Sequence, residues 1–287
     1  MMTTMDRKRT FKISISQIIL TAVAAVVALL FFLPFAWMVT SAVRPGEEIF
    51  RFLSPLSIYS LIPKTLTAEN FARLLDGEVG RTVFNSIFVT ALTVVFGLMV
   101  SATAAFALSV LHFPLRSAVF AVVVISFMIP FDAIAIPLAD TFRVVGLQNT
   151  YAGLVLPAIA NGLAIFVLRQ FFLGIPKEMV EAARVDGANW WTIFSRIYVP
   201  LSKPALISAG LLLFVGQWQA YLWPLLIVTE PSMQVAPVAL AQFVGQYQSN
   251  FGTMFAGATI VSLIPAVILL SLQPYFVRSV SSQGLKE

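Results

Sequence analysis

The sequence predicts an all-α membrane protein of six transmembrane helices, with a two-helix cytoplasmic loop between the fourth and fifth. Three observations carry that reading. Of the 287 residues, 59% are hydrophobic and only 11% charged, less than half the charged share of an ordinary soluble domain. Six apolar stretches, about 16–39, 84–111, 118–138, 151–172, 205–228 and 253–275, reach or exceed the ~20 residues a helix needs to cross about 30 Å of hydrocarbon. Between the fourth and fifth, the segment 173–204 brings charged and aromatic residues together at helical spacing.

The same composition excludes whole classes of function. Without a cysteine there is no disulfide framework, thiolate metal site or cysteine nucleophile, and a single histidine leaves no multi-histidine metal site. No G-x-x-x-x-G-K-[ST] loop occurs, so the chain does not hold ATP in the P-loop manner, and no cofactor is expected on it. The net charge of +5 does not mark a nucleic-acid partner. The basic residues cluster between apolar runs, where they set orientation in lipid.

Taken in order, residues 1–15 read as a cytoplasmic N-terminal segment containing Arg7, Lys8, Arg9 and Lys12. The apolar run that follows is too long for a signal-peptide core and lacks a small-residue cleavage site before Arg44, so it is expected to stay as the first span. Residues 16–275 form one transmembrane domain, and 276–287 a cytoplasmic tail. With the N-terminus inside, Lys and Arg at 7, 8, 9, 12, 116, 169, 177, 184, 196, 203, 278 and 286 lie in the cytoplasm. Only 44, 51, 64, 73, 81 and 143 then lie outside. This bias places both termini in the cytoplasm of a cell inner-membrane, multi-pass protein. Prolines 34, 130, 137, 157, 224 and 265 fall in or near the spans, where neighbouring helices can satisfy the freed carbonyls. Glycines 97, 153, 162, 210, 216 and 257 suit close helix packing. Trp37, Tyr151, Trp223 and Tyr275 suit interfacial anchoring.

The segment 173–204 reads as two short helices. Pro176 fits a first helical turn and Glu178 its positive end. Gly187 accepts the left-handed conformation that stops a helix. Asn189 caps a second helix that places Trp190, Trp191, Phe194, Ile197 and Tyr198 on one face, and Pro200 and Pro204 end it and redirect the chain. From these residues alone, two uses stand open: interfacial helices lying on the membrane, or a docking element for a cytoplasmic partner.

Glu181-Ala182-Ala183, then Gly187 after three residues, then Ile197-Tyr198-Val199-Pro200 match E-A-A-x₃-G-x₉-I-x-[LV]-P. In this the chain resembles the permease subunits of ABC importers. Asn85-Ser86, Gly146-Leu-Gln-Asn-Thr150, Trp218 with Pro224-Leu225, and Pro274-Tyr-Phe-Val-Arg278 are similar to the carbohydrate-uptake group, and to the second permease of maltose-type importers. The chain departs from that group in carrying Gln219 after Trp218, where asparagine is common, and in a short, loosely matching tail. The resemblance implies that 173–204 is a coupling loop seated on an ATP-hydrolysing subunit through Glu181, Ala182, Ala183, Asp186, Gly187, Ile197 and Pro200. It implies partners: a homologous permease, two ATP-binding subunits and an extracytoplasmic solute-binding protein. It implies a solute of the sugar class moved by alternating access, no covalent chemistry here, and ATP used only by the partner. A secondary transporter or channel working without an ATPase is the alternative. It would need facing ionisable groups inside the spans, and only Asp132 and Arg169 offer them.

Four residues are candidates for a substrate pathway. Asp132 sits in an apolar stretch, where an acid at a span centre costs about 2.5–3.5 kcal/mol unless it faces a cavity or partner. At ~1.5 Å per residue from position 118 it lies roughly 21 Å up, past the midplane, where a wet position near the outer mouth is the other reading. Gln217, Trp218 and Tyr221 bring amide, indole and phenol groups into an otherwise aliphatic fifth span. Gln217 and Tyr221, four apart, share a helical face. They either line a cavity or hold the span to its neighbours by hydrogen bonds. His112, in the turn before the third span, reads as a polar loop residue.

Overall fold

The computed structural model describes residues 14–75, 79–246 and 251–281. The N-terminal basic cluster and the last residues of the tail lie outside these. Among the described residues the chain is helical throughout, and its only β pairing is an isolated bridge between Leu53 and Leu56.

Helix α1 (Ile15–Ala42) is apolar all round, as a helix solvated by lipid must be, and only Ser41 and Ala42 at its end are buried. Arg44 follows, 1% exposed. Its guanidinium donates to the carbonyls of Thr40, Tyr59 and Ser60 at 3.2, 3.3 and 3.0 Å. Asn70, in α2 (Glu69–Leu75), donates through Nδ2 to the carbonyls of Ala42 and Arg44. The loop after α1 is thus folded back on the end of the helix by groups that spend their hydrogen-bonding capacity on buried backbone.

Helix α3 (Val79–Val110) is the central strut, packed by its two faces on the later helices. Gly97 and Gly210 admit leucines from the opposing helix, since a Cβ at either position would come within 3.0 Å of Leu213 or 3.3 Å of Leu98, tighter than ordinary van der Waals contact. At its C-terminal end the carbonyl of Leu108 accepts from both Arg116 Nε (2.7 Å) and Arg169 Nε (3.1 Å). Arg116 also takes Ser109 and Leu111. Two cations therefore sit on the negative end of a 32-residue helix. Arg169, whose guanidinium also lies 3.8 Å from the Phe120 ring centroid, is occupied as a cap and does not face Asp132 across a path.

The expected straight third span is instead two helices. α4 (Arg116–Met128) and α5 (Phe131–Val144) meet at 97°, broken at Ile129-Pro130. Proline disfavours helical backbone in the residue before it, and Ile129 is extended there (ψ 121°). The fourth span is α6 (Tyr151–Ile159) plus α7 (Gly162–Leu173), bent by 42°. Asn161 caps α7 by accepting from the Ala164 N–H at 3.0 Å.

After the loop helices α8 (Lys177–Val185), α9 (Trp190–Ile193) and α10 (Val199–Leu201), the chain turns by 83° at Ser202 into α11 (Lys203–Trp218). The fifth span is then interrupted at 219–221 before α12 (Leu222–Ile227), so the single helix expected over 205–228 is two pieces. Helix α13 (Ala236–Gln246) and the long α14 (Phe251–Ser281) complete the bundle, α14 packing on α1, α2 and α11. Among the described residues, three helices are long and apolar enough to cross a membrane unbroken, and bent pairs supply up to three more.

Two expected interfacial anchors prove to be internal. Trp223 is 5% exposed and donates through Nε1 to the Gly153 carbonyl at 3.0 Å, and Tyr151 OH donates to Asn85 Oδ1 at 2.8 Å. Trp37 packs on Phe255, with ring centroids 5.1 Å apart. The side chain of Tyr275 lies outside the described residues.

Candidate functional site: a cavity and a loop joined by one helix

At one end of α11 is the loop. α8 starts after Pro176, its last turn is closed by Asp186 and Gly187, and Gly187 has φ +79°. Nothing lies within 4 Å of a Cβ built there, so the sign of φ rather than crowding is the constraint. Asn189 Oδ1 accepts from the Thr192 N–H at 2.8 Å and starts α9. A π-helical turn, Phe194–Tyr198, joins α9 to α10.

The second helix does not bury the aromatic face that spacing alone suggests. Ile193, Phe194 and Tyr198 enter the core with Phe106, Leu168 and Phe172, while Trp190 and Trp191 stay 42% and 67% exposed. The wider pitch of the π turn rephases the helix, so the tryptophans point elsewhere. Trp190 packs under the Arg184 guanidinium at 4.8 Å. Glu181, Ala182, Asp186, Gly187 and Pro200 are exposed, and Ala183 and Ile197 half-buried against the core. Glu181 makes no hydrogen bond or ion pair among the described residues. The loop thus has a rooted underside and an exposed upper surface that carries Glu178, Glu181 and Asp186 together with Met179, Val185, Trp190 and Trp191. The root is desolvated on all sides, and burial pushes the Tyr198 phenol above its ordinary pKa.

At the other end of α11 a cavity of about 360 Å³ opens, within the range of small-molecule sites. The 97° bend delivers Asp132, in the first turn of α5, to one wall. The α6–α7 break delivers Asn161, and the end of α11 delivers Gly216 and Gln217, with Tyr221 and Trp223 beyond. Thr93 of α3 completes it. It is fully buried, and its Oγ1 has no hydrogen-bond partner, an uncompensated hydroxyl on a cavity wall. Asp132 likewise makes no hydrogen bond or ion pair among the described residues. The polar groups presented by the lining are therefore the Asp132 carboxylate, the Asn161 and Gln217 amides and the Tyr221 hydroxyl, with the Thr93 hydroxyl buried behind them, a set able to donate to and accept from a polyhydroxylated molecule.

Trp218 is not on this wall. Its ring stacks on Phe214 at 5.8 Å, and Nε1 donates to the Val261 carbonyl at 3.1 Å, which places it between α11 and α14. Gly216, expected to serve packing, instead faces open space in the cavity. Reading the sequence missed Asn161 and Thr93. Asn161 precedes a glycine next to an alanine-rich run, a capping signal that gives no hint of a cavity. Thr93 is one polar residue in an apolar helix. His112 is exposed in the turn between α3 and α4.

The family described as the binding-protein-dependent transport system inner membrane component matches residues 94–282. The chain is 34% identical over 272 residues to the arabinooligosaccharides transport system permease protein AraQ of Halalkalibacterium halodurans, covering 93% of this chain and 96% of that one. It is 36% identical over 229 residues to the sn-glycerol-3-phosphate transport system permease protein UgpE of Rhizobium meliloti, covering 76% and 81%. Among solved structures, a chain of a bacterial ABC transporter involved in the import of the acidic polysaccharide alginate superposes with a TM-score of 0.76 at 26% identity. That match covers 92% of this chain and 99% of the other.

Proposed function

The chain belongs to the binding-protein-dependent transport system inner membrane component family and is the membrane-spanning permease subunit of an ABC importer, for which we propose the following working parts. The solute is a sugar or sugar-like molecule, released into the cavity by an extracytoplasmic binding protein. Both termini and the α8–α9 loop lie in the cytoplasm. Two ATP-binding subunits and a homologous permease complete the assembly, with one ATPase seated on Glu181, Ala182, Ala183, Asp186, Gly187, Ile197 and Pro200. Asp132, Gln217 and Tyr221, joined by Asn161 and Thr93, line the pathway, and Trp218 braces it from behind.

One observation carries the reading: the docking loop and the cavity are the two ends of the same helix. α9 and α10 pass at Ser202 into α11, whose sixteen residues span roughly 24 Å at ~1.5 Å per residue. Gln217 stands at the far end. The loop's underside is packed into the core through Ile193, Phe194 and Tyr198, so a displacement of its upper surface has a stiff element to move. Closure of the ATPases would tilt α11 and with it one wall of the cavity, the rigid-body switching that alternating access needs. The permease contributes no covalent step. An exposed carboxylate at Glu181 without an ion pair among the described residues, on the same loop as the exposed Trp191, suits a protein cleft carrying a basic group, rather than a lipid headgroup layer alone.

The decisive experiment is reconstitution in lipid vesicles. Uptake should require the ATPase subunits, ATP and the binding protein together. The isolated chain should hydrolyse no ATP, and solute uptake by it alone would remove the importer mechanism.

A further inference from the structure

Two of the motifs that mark the sequence, Asn85-Ser86 and the 146–150 run, lie on neither the loop nor the cavity. Their work is visible at the far end of span five. Helix α12 is only six residues long and cannot hold its own shape, yet Tyr221, Leu222 and Trp223 at its start form a wall of the cavity. Its backbone connection to α11 is three residues, Gln219, Ala220 and Tyr221. What fixes it is lateral. Trp223 Nε1 donates to the Gly153 carbonyl, Arg143 Nη2 to the Leu226 carbonyl (3.1 Å) and the Asn149 N–H to the Ile227 carbonyl (3.1 Å).

The irregular strap that follows, 228–236, is gripped by two asparagines. Asn149 Oδ1 accepts from the N–H groups of Thr229 (2.7 Å) and Glu230 (3.1 Å), and its Nδ2 donates to Thr229 Oγ1 (2.9 Å). Asn149 holds φ +55°, a conformation asparagine tolerates better than most residues. Asn85 is fully buried, and its Nδ2 donates to the carbonyls of Ser232 and Gln234, both at 2.9 Å, while Oδ1 accepts from Tyr151 OH. Ser86 Oγ then accepts from the Ala236 N–H at 2.7 Å. Each amide spends three of its four hydrogen-bonding positions on these contacts, Asn149 with two acceptor bonds and one donor bond and Asn85 with two donor bonds and one acceptor bond.

We infer that Asn85 and Asn149 are positioning residues: they clasp the strap to α3 and to the turn between α5 and α6, and so hold α12 and its cavity wall fixed while α11 moves on the 219–221 link. Span five is in this sense two mechanical parts. The lower belongs to the loop, and the upper belongs to the frame formed by α3, α5 and α6. The consequence for transport rests on the cavity's being the pathway, whereas the clasp itself does not.

Because the chain has no cysteine, a single introduced cysteine is its only thiol, and labelling is read on this subunit after the subunits are separated. In the assembled transporter in nanodiscs, Ala220→Cys reads the wall at the link, and Ala158→Cys reads the wall on α6. The probe is a charged methanethiosulfonate reagent, and amide hydrogen exchange is followed across 228–236. Asn149→Gly keeps the backbone conformation and removes the side chain. It should raise exchange in the strap and change reactivity at Ala220→Cys about fivefold, the scale of one or two lost hydrogen bonds, with Ala158→Cys unchanged. Asn149→Asp keeps the acceptor for both N–H groups and should restore wild-type behaviour. Asn85→Asp, which turns a carboxylate oxygen toward two carbonyls, should not. If the buried Asn85 variant fails to assemble, the Asn149 pair still decides. Equal damage from Asn149→Gly and Asn149→Asp, unchanged reactivity at Ala220→Cys, or equal changes at both reporters would each overturn the inference. Should Gln217→Ala leave uptake untouched while the reporters respond as described, the pathway reading falls and the clasp stands.

Discussion

The loop 173–204 and the cavity beneath Tyr221 are built from the same kinds of residue, yet they are encoded differently. The loop is local. Its turn, caps and exposed carboxylate lie within about thirty residues, each fixed by a neighbour three or four positions away. The cavity is assembled from five segments, with Thr93, Asp132, Asn161, Gln217 and Tyr221 meeting because three spans break. A local device fails when one backbone angle is wrong. A convergent one degrades gradually as single contributors are removed.

That contrast can be broken at the loop first. Gly187→Val places a β-branched side chain at φ +79°, a conformation costing L-residues about 1–2 kcal/mol even without branching. Solute-stimulated ATPase activity of the assembled complex should fall tenfold or more. Gly187→Asn should retain much of it, since there is room for the side chain. If valine and asparagine behave alike, the turn is not the constraint. Glu181→Ala should lower stimulated ATPase activity about three- to tenfold while membrane insertion and assembly, followed by co-purification of the ATPase, persist. Normal coupling in that variant would leave the carboxylate without a docking role.

The cavity should respond more mildly. Gln217→Ala and Asn161→Gly each remove one amide, and each should shift the solute concentration for half-maximal uptake about three- to fivefold. The glycine at 161 leaves α7 its cap geometry at little cost. Loss of assembly with unaltered half-saturation would assign both amides to packing. Smallest is Trp218→Phe, which keeps the ring against Phe214 and loses only the bond to Val261. Uptake should be unaffected and the thermal midpoint lowered by a few degrees. A changed solute preference would return Trp218 to the pathway.

The same contrast explains what could be read in advance. Pro176, Gly187 and Asn189 announce helix ends by chemistry that acts within a turn, and the structure places those ends there. The apolar runs likewise yield spans, because hydrocarbon thickness sets length irrespective of fold. Spacing could not show that Phe194–Tyr198 adopts π pitch, and so it could not say which aromatics would be buried. Nor could it choose between a kink and a 97° break at Pro130, since proline permits either and the packing of α5 on α12 decides. Gln217 and Asp132 stood out as polar residues in apolar helices. Asn161 and Thr93 did not, because a cap and a small hydroxyl are ordinary in any helix. Trp218 and Trp223 lie five residues apart in the same apolar run, and only tertiary contacts send one toward α14 and the other toward α6.

The pairing of α1 with α14 bears on the order in which the molecule is made. Trp37 of α1 meets Phe255 of α14, and Phe50 of the loop after α1 meets Phe251 with centroids 4.9 Å apart, so among the described residues the first helix is matched to the last. At 5–20 residues per second, the roughly 200 residues between them take on the order of ten seconds or more to emerge. Throughout that interval α1 has none of its α14 contacts, and an almost wholly unburied apolar helix is one that lipid alone can keep. Closure of the bundle is thereby a terminal event with a long loop to close, and a ribosome that stops short of α14 releases a chain whose first helix has lost its mate.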